Sequence, residues 1–120
     1  MAVDDEPDML KVVCATLVMN GFDAVTAKSG QECLSMLEKG TRPALILLDI
    51  MMPGMDGFEV CRKIRAVERY RDIKIVMLTA KAQNRDAVDS YKFGADGFIT
   101  KPFEPDKLIS DLKLYLGDLI

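Results

Sequence analysis

Leu45-Ile46-Leu47-Leu48-Asp49-Ile50-Met51-Met52-Pro53-Gly54-Met55-Asp56-Gly57 decides how this chain folds. Ala44 to Leu48 is an unbroken apolar run, which reads as a strand buried on both faces. It ends on a carboxylate, Asp49, and then enters a loop set by Pro53, Gly54 and Gly57. Desolvating a carboxylate where a buried strand meets its loop is costly and needs a reason. In open α/β sheets, the carboxyl end of a central strand is where ligands and chemistry sit.

Three other stretches repeat this design. Ala2-Val3 runs into Asp4-Asp5, Ile75-Val76-Met77-Leu78 into Thr79, and Gly97-Phe98-Ile99-Thr100 into Lys101-Pro102. Between these strands lie helical patterns. Pro7 opens the first, with Met9, Leu10, Val13, Cys14 and Leu17 as its apolar stripe, and Asn20-Gly21 stops it. Phe22 to Ala27 reads as a second strand with Val25 turned inward. Ser29 with Glu32, and Asp56 with Glu59, are capping boxes for a second and a third helix. Cys33, Leu34, Met36 and Leu37 form the buried face of the second; Phe58, Val60, Cys61, Ile64 and Val67 form that of the third. Arg62, Lys63, Arg65 and Arg69 read as the wet face of the third. A fourth, weakly apolar helix is expected near residues 84–93, carried by Ala87, Val88 and Tyr91. Pro105 opens a fifth with Leu108, Ile109, Leu112, Leu116 and Leu119 on one stripe.

Five β-α units with short connections imply a single α/β domain over residues 1–120. The expected architecture is a flavodoxin-like (βα)5 three-layer sandwich around a parallel five-stranded sheet of order 2-1-3-4-5. That order sets the acidic ends of strands 1 and 3 side by side. Composition agrees: 49% hydrophobic and 29% charged residues describe a globular chain with a real core. A net charge of −3 without a long cationic block argues against direct nucleic-acid binding. The acidic start at Asp4, Asp5 and Glu6 is unlike a secretory leader, and no apolar run reaches membrane-spanning length. Cys14, Cys33 and Cys61 fall on apolar helical positions, and the chain has no histidine, so zinc or Cys–His chemistry is not expected. Reduced core thiols are expected instead, in a cytoplasmic protein.

Asp4, Asp5 and Asp49 in one pocket would repel one another unless a counter-ion is present. A hard divalent cation, Mg²⁺ or Mn²⁺, suits such an oxygen-rich site. A carboxylate beside that charge can attack phosphorus and form an aspartyl phosphate, while a hydroxyl at Thr79 and the ammonium of Lys101 receive the phosphoryl oxygens.

Asp4-Asp5-Glu6-Pro7, Leu48 through Gly57, Leu78-Thr79-Ala80, Gly94-Ala95-Asp96-Gly97-Phe98 and Lys101-Pro102-Phe103 together resemble the response-regulator receiver domain of two-component signalling, in its chemotaxis-regulator form. The resemblance covers nearly the whole chain. It implies Asp49 as phosphoacceptor, and Asp5, Asp49 and the Met51 carbonyl as Mg²⁺ ligands, with Asp4 acting through water. It implies Thr79 and Lys101 on the phosphoryl group, a cis Lys101-Pro102 bond, and Phe98 as a switch aromatic that follows Thr79. Met51 and Lys81 stand where the family tunes phosphoryl lifetime. The implied function is a phosphoaccepting switch, charged by a sensor histidine kinase or phosphotransfer protein. The resemblance implies no enzyme activity beyond catalysis of the domain's own phosphorylation and dephosphorylation. The switch would alter the surface of its fourth helix, fifth strand and fifth helix for a downstream protein or a fused output domain. Gly97 stands where dimerising relatives carry a second acid after Asp96, and the fifth helix has no Arg, so a monomer is expected.

Only Met1-Ala2-Val3 precede the acidic pair, a short first strand for an interior position. The expectation is a natural chain that begins upstream of Met1, with a longer chain melting higher. Two other readings compete. An Mg²⁺-dependent phosphohydrolase wants a second acid two residues after its nucleophile, where Met51 stands, so its turnover would be slow. A silent interaction module would be expected to lose the acidic pair, the acceptor or the lysine, all kept here. A flavin or dinucleotide site is disfavoured because no GxGxxG follows the first strand.

Overall fold

The computed structural model describes residues 1–79, 92–101 and 103–117. Its five strands are β1 (Ala2–Val3), β2 (Thr26–Ala27), β3 (Leu45–Asp49), β4 (Lys74–Thr79) and β5 (Gly97–Thr100). They form one sheet of order β2-β1-β3-β4-β5, parallel at every pairing. The helices are α1 (Pro7–Met19), α2 (Gly30–Glu38), α3 (Gly57–Arg65) and α4 (Pro105–Tyr115), with a 3-10 turn at Glu68–Tyr70. α4 is the segment expected as a fifth helix. The helix expected near 84–93 lies, but for its last two residues, outside the described residues, as do Lys81, Pro102 and Leu119.

Strand alternation sorts the core into two layers. Ile46 and Leu48 of β3 and Ile75 and Met77 of β4 pack with Cys33 and Leu37 of α2 and Val60, Cys61 and Ile64 of α3. Leu45, Leu47, Val76, Leu78 and Ile99 pack on the other face with Leu10, Val13 and Leu17 of α1 and Leu108, Ile109 and Leu112 of α4. This is the expected three-layer sandwich, buried on both sheet faces because both faces of each central strand are apolar.

The helix ends follow local rules. Ser29 accepts from the Glu32 N–H at 3.0 Å, and Asp56 from the Glu59 N–H at 2.9 Å. Pro7 and Pro105 sit in the first turns of α1 and α4, where a missing N–H costs nothing. Gly21, just past α1, has a φ of 87°, a left-handed stop that suits glycine.

Two expectations fail for non-local reasons. β2 spans only Thr26–Ala27, because β1 offers only Ala2 and Val3 as partners. Val25 is accordingly 42% exposed instead of turned inward, although its carbonyl accepts from the Ala2 N–H at 2.9 Å. Arg65 is not on a wet face: its guanidinium reaches Gly94 O and Asp96 Oδ2, both at 2.8 Å. Asp96 Oδ2 also accepts from the Ile75 N–H at 2.8 Å, so one carboxylate ties α3, the start of β4 and the approach to β5. Arg62, Lys63 and Arg69 are exposed as expected.

The short β1 carries its own signature. The Met1 ammonium is buried and donates to Leu45 O at 2.8 Å, while Met1 O accepts from the Leu47 N–H at 2.8 Å. Burial lowers the amine pKa from 8.0 to about 6. Beside it lies a mainly apolar cavity of about 380 Å³, walled by Leu17, Phe22, Val25, Leu45, Leu112 and Leu116 among others. Cys33 and Cys61 are buried free thiols whose pKa burial pushes up to about 11, and Cys14 is half-buried and free.

Candidate functional site

All five strands are parallel, so their carboxyl ends share one edge of the sheet. Val3 pairs with Leu48, which brings the next residues, Asp4 and Asp49, alongside each other. Asp49 pairs with Leu78, so Thr79 stands one step further along β4, and Thr79 pairs with Thr100, the residue before Lys101. Register alone thus gathers the acidic pair, Asp49, the Thr79 hydroxyl and Lys101.

The side chains complete the cluster. Carboxylate oxygens of Asp4, Asp5 and Asp49 lie within 4.8 Å of one another. Asp4 and Asp49 are buried, at 2% and 4% exposure, whereas Asp5 faces solvent. Lys101 Nζ bridges the two buried acids, 3.0 Å from Asp49 Oδ1 and 3.2 Å from Asp4 Oδ2. Asp4 is held further by its Oδ1, which accepts from the Glu6 N–H at 3.0 Å at the start of α1. The Lys101 N–H donates to Thr79 O at 2.6 Å, which ties the lysine's backbone to the hydroxyl-bearing residue.

One ammonium does not balance three carboxylates. Burial raises the pKa of Asp49; the hydrogen bond and charge of Lys101 oppose this, and the charges of Asp4 and Asp5 reinforce it. Burial would by itself lower Lys101, but hydrogen bonds and charge from Asp49 and Asp4 outweigh it and the net shift is upward. The lysine therefore stays charged while the Asp49 carboxylate is held in an anionic excess.

That excess is what a hard cation needs: three oxygen donors at mutual distances one ion can span, two of them anchored in the interior. The residues present fit Mg²⁺ or Mn²⁺. Met51, two residues after Asp49, is 76% exposed, so its side chain takes no part in the cluster. Thr79 is buried on the sheet face that carries Met77. Phe98 pairs with Met77 and is half-buried against the same core layer.

Sequence reading brought Asp4, Asp5, Asp49, Thr79 and Lys101 to this edge. It missed the direct Lys101–Asp4 bond, which depends on a 97-residue separation in the chain. It also treated Gly57 only as a turn former. Its place directly after the helix cap Asp56 marks it in the sequence as the first residue of α3; that α3 starts against the Asp49 carbonyl is set by the fold.

The response regulator receiver domain model matches residues 1–113. The DNA-binding response regulator MtrA of Mycolicibacterium smegmatis is 38% identical over 116 residues, covering 97% of this chain and 49% of that protein. The phosphate regulon transcriptional regulatory protein PhoB of Escherichia coli is 38% identical over 113 residues, covering 94% and 49%. The chain spans about half the length of the curated relatives it matches. Among solved structures, the Vibrio cholerae chemotaxis protein CheY4 superimposes with a TM-score of 0.91 at 34% identity, covering 96% of this chain and 95% of that one. The signal receiver domain of a Syntrophus aciditrophicus signal transduction histidine kinase gives 0.88 at 35% identity, covering 98% and 88%. With its sheet order, its clustered strand ends and these likenesses, the chain belongs to the response regulator receiver domain family.

Proposed function

We propose that this domain is a phosphoaccepting switch in which Asp49 takes a phosphoryl group from a phosphohistidine of a sensor kinase or phosphotransfer protein. The observation that carries the reading is the buried Asp4–Lys101–Asp49 bridge, set beside exposed Asp5 at the carboxyl edge of the sheet. A carboxylate oxygen of Asp49 attacks phosphorus, an O–P bond forms, the N–P bond of the donor breaks and the imidazole leaves with its electron pair. Asp5, Asp49 and the Met51 carbonyl would hold Mg²⁺ or Mn²⁺, with Asp4 assisting through water. When bound, the cation supplies positive charge toward the transferred oxygens. Lys101 exchanges its bond to Asp49 for one to a phosphoryl oxygen, and the Thr79 hydroxyl donates to another.

The domain is not an enzyme for an external substrate; it catalyses its own phosphorylation and dephosphorylation. Met51, two residues after Asp49, carries no acid, so the general acid that a phosphohydrolase wants is missing and turnover of an external substrate would be slow. Movement of Thr79 is followed by Phe98 two positions away on the same sheet face, and the surface around β5 and α4 changes for a downstream protein or a linked output domain. The relatives named as DNA-binding regulators support an output of that kind. In this reading the receiver itself is a monomer that touches neither nucleic acid nor membrane. No described helix is long and apolar enough to cross a membrane, and the buried free thiols suit the cytoplasm.

Intact mass after incubation with acetyl phosphate tests the acceptor. One Mg²⁺-dependent phosphoryl gain in the wild type, absent in Asp49→Asn, is the expected result. Equal gain in the variant would refute the assignment.

A further inference from the structure

Gly57 is the first residue of α3 and is buried against the acceptor strand. A Cβ at this position would overlap the Asp49 carbonyl oxygen and stand 2.8 Å from Ile50 Cα and 3.0 Å from the Asp49 carbonyl carbon. Every one of these neighbours is backbone, so no side chain can swing aside. The φ of Gly57 is not in the left-handed region, so the requirement is for space and not for conformation. The Gly57 N–H also donates to Ile50 O at 2.9 Å, an oxygen that accepts from the Met52 N–H at 3.2 Å as well. The Ile50 N–H in turn donates to Leu78 O at 3.0 Å. The peptide following Asp49 is thus clamped between β4 on one side and the start of α3 on the other.

We infer that Gly57 is a positioning residue for the phosphoacceptor site: the close approach of its backbone sets the path of Asp49-Ile50-Met51, and with it the seat of a divalent cation. The inference rests on the function proposed above. A methyl group at 57 must push α3 away or tilt the Asp49–Ile50 peptide. Either displacement moves the Asp49 carboxylate relative to Asp4, Asp5 and Lys101, and the chain segment that carries the Met51 carbonyl.

Gly30 supplies the control. It is likewise the buried first residue of a helix, but its Cβ would meet the Val60 side chain, with Met55 O and Sδ at 3.5 Å. Alanine there strains the contact between α2 and α3 without touching the acceptor backbone. Both substitutions remove a helical glycine, so helix propensity changes alike.

The experiment is an Mg²⁺ titration of the wild type, Gly57→Ala, Gly30→Ala and Asp49→Asn, read by calorimetry and by amide resonances. Gly57→Ala is expected to weaken Mg²⁺ affinity by on the order of tenfold, the scale for residues that orient metal ligands. Gly30→Ala should stay within about twofold, since it orients none of them. Wild-type affinity in Gly57→Ala, or an equal loss in Gly30→Ala, overturns the inference. Should Gly57→Ala not fold, the wild type decides: Mg²⁺ must shift the Gly57 and Ile50 amides and leave Gly30 in place, and an unmoved Gly57 amide overturns it. If the wild type shows no Mg²⁺ binding that Asp49→Asn abolishes, the proposed function fails instead. The positioning role is then judged on metal-free spectra, where Gly57→Ala must displace the Asp49, Ile50 and Met51 amides more than Gly30→Ala does.

Discussion

Lys101 Nζ lies 3.0 Å from Asp49 Oδ1 and 3.2 Å from Asp4 Oδ2, so a single ammonium holds two buried carboxylates together across 52 and 97 residues of chain. Lys101→Met leaves those acids facing each other without a cation. Unpairing a buried charge costs several kcal/mol, and the metal-free protein should lose roughly 2–4 kcal/mol in urea denaturation. Millimolar Mg²⁺ should restore part of the loss, because it supplies the missing positive charge. An unchanged midpoint without Mg²⁺ would show that the bridge does not bear on stability.

Asp49→Asn should act in the opposite direction. Burial, aided by Asp4 and Asp5, raises the folded pKa of Asp49, so the folded state binds more protons than the unfolded one above the ordinary carboxylate range. Stability linked to this group is present below its unfolded pKa and is lost as pH rises through its raised folded pKa. Removing the charge should raise the metal-free melting temperature near neutral pH, with about 1 kcal/mol giving roughly 4 °C in a domain of this size. The gain should vanish at acid pH, where Asp49 is protonated anyway. Mg²⁺ should stabilise the wild type and not the variant.

The Met1 amine gives a second pH signature. Its folded pKa is lowered by burial to about 6 from 8.0, so between those values the unfolded chain binds the extra proton. Stability should rise with pH across that window, by up to about 2.7 kcal/mol for a two-unit difference. Circular-dichroism melts of the 120-residue chain at pH 5.5, 7 and 8.5 measure it. In a chain carrying residues before Met1, a peptide N–H replaces the ammonium and the rise should disappear.

Arg65 joins α3 to Gly94 O and Asp96 Oδ2, and Asp96 also receives the Ile75 N–H. Arg65→Met should cost roughly 1.5–3 kcal/mol, the scale for leaving partly buried acceptors and a carboxylate without their donor; the partial exposure of the pair argues against more. Arg65→Lys should recover little, because an ammonium cannot span both acceptors as the planar fork does. Full recovery by lysine would reduce the clamp to simple charge.

Phe98→Ala should separate acceptance from response. It leaves Asp49, Lys101 and the acidic pair in place, so the Mg²⁺-dependent mass gain is retained. The amide shifts that phosphorylation produces in α4, around Leu108 and Leu112, should shrink. Undiminished shifts would make Phe98 an ordinary core aromatic.

Most of the architecture was legible because its determinants are local or periodic. The Ala44–Leu48 run, the caps at Ser29 and Asp56 and the Pro7 and Pro105 starts each act within a few residues. Apolar stripes at helical spacing on α1 and α4 marked residues that pack against the sheet, such as Leu10, Val13, Leu17, Leu108, Ile109 and Leu112. Strands alternating with helices imposed a parallel sheet, and a parallel sheet puts every strand's carboxyl end on one edge. Hence the grouping of Asp4, Asp5, Asp49, Thr79 and Lys101 followed from the sequence by itself.

What only the tertiary structure decided were relations across long chain separations. Val25 lost its inward place because the β1–β2 register starts only at Ala2 and Thr26, so its carbonyl bonds Ala2 while its side chain stays outside the pairing, a property of the partner and not of Val25. Arg65 looked solvated on its own helix, yet the approach of the 94–96 segment turned it into a clamp. Gly57 resembled any turn glycine until α3 was seen to lie against the Asp49 carbonyl. Periodicity specifies which face of an element is apolar; it carries no information about which atoms of a distant element arrive there. That arrival sets burial, charge pairing and close backbone contact, and those in turn set the chemistry of Asp49.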